Sequence, residues 1–402
     1  MDYLLFDADN HYYEAEDAFT RYASERMKAG RYVRWLTEGD GKRRRLFFGD
    51  REARTIGNPT FNPVARPGVY YETLKNLQFG KDLEIGKERP RSVYGELVPL
   101  DPAYQDRTAR LKTMDQQGVE RAFLFPTLGV TLEGMIDGDA DMMYDCFHAF
   151  NRWLDDDWGF SHQDRIYAAP YLSMLDLDRA IAELEWVLER GARIVTIRPG
   201  PAYGRSPADP YFDPFWARIN EAHVVVAYHA LDGPSAYSEM YRQLWASPPR
   251  LWTNEAAIHE RAISHYNAIM DTLSALVLHN LFGRFPDIRV ASIELGAAWV
   301  PFLLHRLDHA GGLVDRRITA FGKTLSDRPS QILRRHVWVS PFPEEDIPVL
   351  TEHIGVEQVL FGSDWPHAEG TPQPVDYVKG LDAFDAASVK RIMRDNALEL
   401  VV

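Results

Sequence analysis

Residues 166–198, IYAAPYLSMLDLDRAIAELEWVLERGARIVTIR, read as a strand, a helix and a second strand. Ile166 to Leu172 and Ile194 to Arg198 are short apolar runs of strand length. Between them, DLDRAIAELEWVLERG carries its apolar residues at helical spacing, its acidic residues early, and Gly191 where a helix ends. A strand, a crossover helix and a further strand make the unit of a parallel sheet.

Six more runs of this kind flank the unit: Tyr3 to Asp9, Arg121 to Pro126, Val224 to His229, Arg289 to Glu294, Val337 to Ser340 and Val359 to Asp364. Eight such units favour an α/β fold closed as a (β/α)₈ TIM barrel over an open doubly wound sheet, and no GxGxxG follows the first run. The 402 residues fit one barrel over 1–402 with insertions. Two connections, about 12–107 and about 230–286, far exceed what a βα loop needs. Both leave the C-terminal ends of strands, so both are expected to be lids over the active-site face.

The 45% hydrophobic and 12% aromatic content supplies a large core, and no run of eighteen apolar residues offers a membrane span. The first residues lack the basic region and cleavage site of a signal peptide, so the expected compartment is the cytoplasm. A single cysteine, Cys146, excludes an internal disulfide and reads as packing. With 45 basic against 59 acidic side chains, the net charge of −14 opposes nucleic acid and anionic membrane as partners. The hairpin-like RYVRWLTEGDGKRRRLFFG is a local exception, with Lys42, Arg43, Arg44 and Arg45 after a Gly-Asp-Gly turn. These are either solvated loop charges or contacts to the phosphates of a cofactor-linked substrate.

Chemistry-bearing residues gather at strand ends: Asp7, Asp9 and His11 at the first, His229 at the fifth, Glu294 at the sixth and Asp364 at the eighth. Strand alternation is expected to turn Asp7, Asp9 and His11 to one face, the last two at the barrel mouth. Carboxylates and imidazoles converging there suit a divalent cation.

FDADNH, VAYHA, LFGRFPDIRVASIELG, VLFGSDWPH and RDNALEL, in that order along the chain, resemble the amidohydrolase superfamily. The similar branch contains aminocarboxymuconate-semialdehyde decarboxylase and γ-resorcylate decarboxylase. The resemblance implies metal ligation by Asp9 and His11 from the first strand, His229 from the fifth and Asp364 from the eighth. Three positions depart from the pattern. Asp9 replaces the usual His, as the decarboxylase branch tolerates; Glu294 stands where the sixth strand usually has His; and Arg198 stands where two-metal members carry a bridging Lys or Glu. A guanidinium does not ligate metal, so the usual dizinc site is not expected.

The DADNHYYE opening, Glu294 and the ALVLHNLFGRFP helix are also similar to the nonheme diiron monooxygenase of platensimycin and platencin biosynthesis, which hydroxylates a diterpenoid acyl-CoA on this fold. That similarity implies a nonheme iron monooxygenase of secondary metabolism, with one or two Fe per chain and Mn or Zn as alternatives. Its partners would be O₂ and a bulky apolar acid or acyl-CoA. Asp9, His11, His229, Glu294 and Asp364 would be ligands, with Glu294 and Asp364 also at the chemistry. The alternative is a divalent-metal-dependent hydrolase or nonoxidative decarboxylase in which Glu294 moves protons. Asp7, Arg198 and His367 are expected to support or line the pocket, and a homo-oligomer is compatible with either reading.

Overall fold

The computed structural model describes residues 2–39, 44–53, 58–70, 96–136, 138–230, 236–245, 258–313, 321 and 324–401. Its strands in chain order are β1 (Leu5–Tyr12), β2 (Val33–Thr37), β3 (Arg44–Phe48), β4 (Arg51–Glu52), β5 (Val119–Pro126), β6 (Ile166–Ala168), β7 (Tyr171–Leu172), β8 (Ile194–Ile197), β9 (Val225–His229), β10 (Arg289–Ile293) and β11 (Val337–Val339). Two parallel ladders, β1-β5-β6 and β7-β8-β9-β10-β11, carry the barrel.

The run from Ile166 to Leu172 is split because Pro170 has no N–H for the ladder. The chain still bridges its neighbours there: Ala169 N donates to Leu124 O at 2.9 Å, and Thr196 N donates to Pro170 O at 2.8 Å. The eighth run is likewise irregular, yet Leu360 N donates to Val339 O at 2.9 Å and Ala8 N to Phe361 O at 2.8 Å. Asp364 N to Asp9 O and His11 N to Trp365 O, both 2.8 Å, carry the contact between last and first strands up to the mouth.

Phe6, Phe123, Tyr167, Ile194, Val225 and Leu360 fill the barrel interior, each fully or almost fully buried. The second, larger apolar layer lies between strands and helices. In the helix Leu177–Glu189, the Asp176 carboxylate caps the start by accepting from Arg179 N, and Gly191 follows at φ 82°.

β1 does not alternate as expected. Its register on β5 slips between Asp7, which pairs with Ala122, and Asn10, which pairs with Leu124. This bulge reverses the face of the strand. Phe6 and Ala8 point into the interior below it, whereas His11 above it comes level with Phe125, itself an interior residue. Asp7 therefore does not share a face with His11.

Part of the first insertion is the antiparallel sheet β2-β3-β4, in accord with the hairpin reading. Another part reaches the barrel mouth: Gly68 N donates to His367 O at 3.0 Å and Tyr70 N to Ala368 O at 2.7 Å. Gly68, at φ 74°, lies so close to Pro372 that a Cβ would meet its ring. From the second insertion, the helix Ile258–Leu278 places Thr272 Oγ1 2.6 Å from Gly200 N in the loop after β8. Among the described residues, no helix is long and apolar enough to cross a membrane.

Candidate metal centre

Asp9, His11, His229, Glu294 and Asp364 meet at the C-terminal end of the barrel. His11 Nε2 lies 3.3 Å from Asp9 Oδ1, 3.2 Å from Asp364 Oδ1 and 3.6 Å from Glu294 Oε2. His229 Nε2 lies 3.1 Å from Glu294 Oε2 and 3.6 Å from Asp9 Oδ1. Two overlapping groups result, Asp9-His11-His229-Glu294 and His11-Glu294-Asp364-His367, each with its donor atoms within 4.8 Å of one another.

Backbone geometry aims two of these side chains. Ala291 and Ile293 face the interior, so regular continuation of β10 would send residue 294 outward. Glu294 instead adopts φ 53°, which turns its carboxylate back over the mouth, and Asp364 adopts φ 55°. A left-handed conformation at a residue other than glycine costs roughly 1–2 kcal/mol, a strain that concentrates at functional sites.

Two imidazoles have fixed proton positions. His229 Nδ1 lies 3.0 Å from Ala230 O, which only accepts, so Nδ1 carries hydrogen and Nε2 presents its lone pair inward. Thr127 Oγ1 donates to Tyr12 O at 2.8 Å and faces His367 Nε2 at 3.0 Å, so it accepts from that nitrogen. In the neutral ring this leaves His367 Nδ1 bare, 2.7 Å from Asp364 Oδ1. The rings of His11 and His367 stack with centroids 3.9 Å apart.

Asp9 Oδ1, both ring nitrogens of His11, His229 Nε2, Asp364 Oδ1 and His367 Nδ1 are buried without an aligned hydrogen bond. So many buried polar atoms lacking partners are costly unless a cation satisfies them. Carboxylate oxygens and imidazole nitrogens at this spacing fit a divalent ion.

The electrostatics follow the same logic. Burial acts against charge on His11, but Asp364, Asp9 and Glu294 outweigh it and hold the imidazole well above its ordinary pKa. Burial also pushes up Asp9 and Asp364; the facing imidazoles, His11 and His229 for Asp9 and His367 and His11 for Asp364, hold both carboxyls below the usual range. Glu294 goes the other way: burial, then the nearby Asp364 charge, raises it.

The remaining expected residues are elsewhere or differently engaged. Asp7 accepts from Ser363 N at 2.9 Å, Ser363 Oγ at 2.5 Å and Asn10 Nδ2 at 2.9 Å, tying the first strand to the eighth. Burial raises its carboxyl to about 7 against those bonds. Arg198, expected to support or line the pocket, lies beside Glu133, Nε to Oε2 3.9 Å. Lys42 and Arg43 lie outside the described residues. Arg44 pairs with Glu16 and stacks on Trp35, and Arg45 binds Glu52 at 2.5 and 2.6 Å and stacks on Phe47. Both charges have partners within the insertion, which favours the loop-charge reading over a phosphate site. Cys146 is buried, with its thiol pushed up by burial, as packing requires.

Sequence reasoning missed Arg110, Glu14 and Thr127. Arg110 is fully buried and clamps the bulge, donating to Asn10 Oδ1 at 2.5 Å, His11 O at 2.6 Å and Ala103 O at 2.8 Å. It lies one helical turn before the buried Met114, and that apolar-face position was the available signal. Glu14 accepts the amides of Thr127, Leu128 and Gly129 and so fixes the loop that carries Thr127.

The family model described as Amidohydrolase matches residues 63–401. An amidohydrolase from Mycobacterium avium subsp. paratuberculosis K-10 is 38% identical, with 100% of this chain and 98% of that chain covered and a TM-score of 0.88. A 2,6-dihydroxybenzoate decarboxylase from Rhizobium shares the fold at 20% identity, TM-score 0.56, over 73% of this chain and 87% of its own. A point variant of 5-carboxyvanillate decarboxylase from Novosphingobium aromaticivorans DSM 12444, with bound manganese and 3-methoxy-4-hydroxy-5-nitrobenzoic acid, matches at 17% identity and TM-score 0.60 over 100% and 97%. The family match begins after Asp9 and His11, whereas the mycobacterial structure covers them.

Proposed function

The chain belongs to the amidohydrolase family, and on that premise we propose that it is a divalent-metal-dependent enzyme that removes CO₂ from a small carboxylic acid without oxidation. One observation carries this reading: both donor groups share His11, whose Nε2 faces Asp9 and Asp364 and can bind only one cation. Asp9, His11, His229 and Asp364 then hold a single ion, of which Mn, Fe or Zn are the candidates. Such an ion, when bound, polarises a substrate oxygen or a water.

Glu294 is the group left to move a proton. Its carboxyl is raised by burial and by Asp364, and it reaches over the mouth because of its left-handed backbone. In decarboxylation the bond from carbon to carboxylate breaks, CO₂ departs, and the Glu294 proton goes to the carbon that lost it. Water then restores the proton. Thr127 fixes the orientation of His367 through its Nε2. The decarboxylases that share the fold, one crystallised with manganese, lend support to this chemistry over oxygenation.

A second reading keeps the oxygenase. Glu294, Asp364 and the bare Nδ1 of His367 adjoin the first donor group, so Glu294 could bridge two irons. The experiment is to load the protein with Mn²⁺ or Fe²⁺ and offer hydroxylated aromatic carboxylic acids under argon and under ¹⁸O₂. Release of CO₂ in both atmospheres supports the proposal. Product that forms only with O₂ and carries ¹⁸O replaces it with the second reading.

A further inference from the structure

The register of three neighbouring strands sets a row of side chains across the barrel mouth. Thr196 on β8 pairs with Ala227 on β9, which brings Arg198 level with His229; Leu172 on β7 pairs with Ile197, which brings Ser173 level with Arg198. Ile194, Val225 and Ala227 face the interior, so alternation turns both Arg198 and His229 inward. Neighbouring strands lie about 4.8 Å apart, so the guanidinium stem rises directly beside the His229 stem.

Among the described residues, Arg198 is the only Arg or Lys immediately following a barrel strand. It is surrounded by a positioning shell. Its Nε lies 3.9 Å from Glu133 Oε2 and its guanidinium carbon 5.0 Å from the Tyr203 ring centroid. Glu133 is buried, and its Oε1 accepts from Tyr203 OH at 2.7 Å and from Ser173 Oγ at 2.8 Å. Glu133 Oε2 makes no aligned hydrogen bond, and its approach to Arg198 Nε is that of an ion pair.

The charges at the mouth call for such a group. Asp9 and Asp364 match the charge of one divalent ion; Glu133, and Glu294 once it has given up its proton, leave the mouth negative. An acidic substrate would enter a negative field unless a fixed cation met it. We propose that Arg198 is the anchor for a carboxylate of the substrate, held in place by Glu133 and Tyr203. The proposal rests on the site being one for small carboxylic acids. It makes Arg198 a specificity-determining residue, suited by its planar fork to a carboxylate.

The test measures binding apart from turnover. Metal-loaded wild type, Arg198→Lys, Arg198→Met and the double variant Arg198→Met/Glu133→Gln are titrated calorimetrically with benzoate, salicylate and isophthalate, and with uncharged resorcinol as control. The double variant removes both charges and leaves no buried carboxylate unpaired, so folding is preserved. Loss of carboxylate affinity on the order of 10- to 100-fold in Arg198→Met and in the double variant is expected, with a smaller loss in Arg198→Lys and with resorcinol binding and metal content unchanged. Wild-type affinity in the double variant would reduce Arg198 to a partner for Glu133 and overturn the anchor, as would a wild-type protein that binds none of the acids. Altered binding without CO₂ release contradicts only the reaction proposed above; CO₂ release with unaltered binding contradicts only the anchor.

Discussion

Gly362 faces Asp9 so closely that a Cβ placed on it would lie 2.5 Å from the Asp9 Cβ, and 2.5 Å from Ser340 Oγ. The serine hydroxyl can rotate away, but the Asp9 stem is fixed by the strand. Gly362→Ala is therefore expected to push Asp9 off the centre and weaken metal binding by about tenfold or more, since shifts of roughly 0.5 Å already disable such sites. Metal titration alongside circular dichroism checks this. Wild-type affinity in a folded Gly362→Ala protein would show that Asp9 placement does not matter to the ion.

Thr127 sets which nitrogen of His367 carries hydrogen, through Tyr12 O on one side and His367 Nε2 on the other. Thr127→Val keeps the shape and removes the hydroxyl. The expected outcome is a loss of roughly 10- to 100-fold in turnover or metal affinity, with the fold intact. The pH–rate profile is the discriminating readout: an unchanged profile at unchanged rate would leave His367 without a role.

Much of this was legible beforehand, for identifiable reasons. The βαβ unit at 166–198 follows from apolar runs and helical periodicity alone, and the convergence of Asp9, His11, His229, Glu294 and Asp364 follows from their positions at strand ends. The first strand was misread because period-two reasoning has no access to a bulge: the slip between Asp7 and Asn10 depends on Arg110, a hundred residues away in sequence from its partner Asn10. Likewise the sequence offers His367 only as a supporting or lining residue, because its proton position depends on Thr127, a contact made over β1 from its other side.

Away from the centre, His336 ties stability to pH. Its ring stacks on Phe282 with centroids 4.3 Å apart, its Nδ1 lies 2.9 Å from Ile288 O, and burial, with Arg335 nearby, holds it below its ordinary 6.5. The folded state therefore favours the neutral ring. That contribution is present above pH 6.5 and is lost as pH falls from 6.5 through the lower folded value. The burial-lowered His279 acts in the same direction. His336→Gln, which can still donate to Ile288 O, should show a smaller drop in Tm between pH 7.5 and 5.5 than wild type. Identical drops would remove His336 from the account.

Glu294 separates proton transfer from ligation. Glu294→Gln keeps the shape and removes the ionisable group, so the decarboxylase reading expects full metal content and turnover reduced by about 100-fold or more across the pH range. Loss of metal, with O₂ uptake uncoupled from product, would instead make Glu294 a bridge between irons.

The central claim is that the cluster around His11 holds a divalent cation, and metal content per chain tests it most directly. Wild type, His229→Ala and Asp364→Ala would be purified without air, supplied with Mn²⁺, Fe²⁺ or Zn²⁺, dialysed and measured by elemental analysis beside their circular-dichroism spectra. The account predicts about one ion per wild-type chain, little or none in either variant, and unchanged spectra, because the ligands sit at strand ends above an independently packed interior. Full occupancy in both folded variants would contradict it.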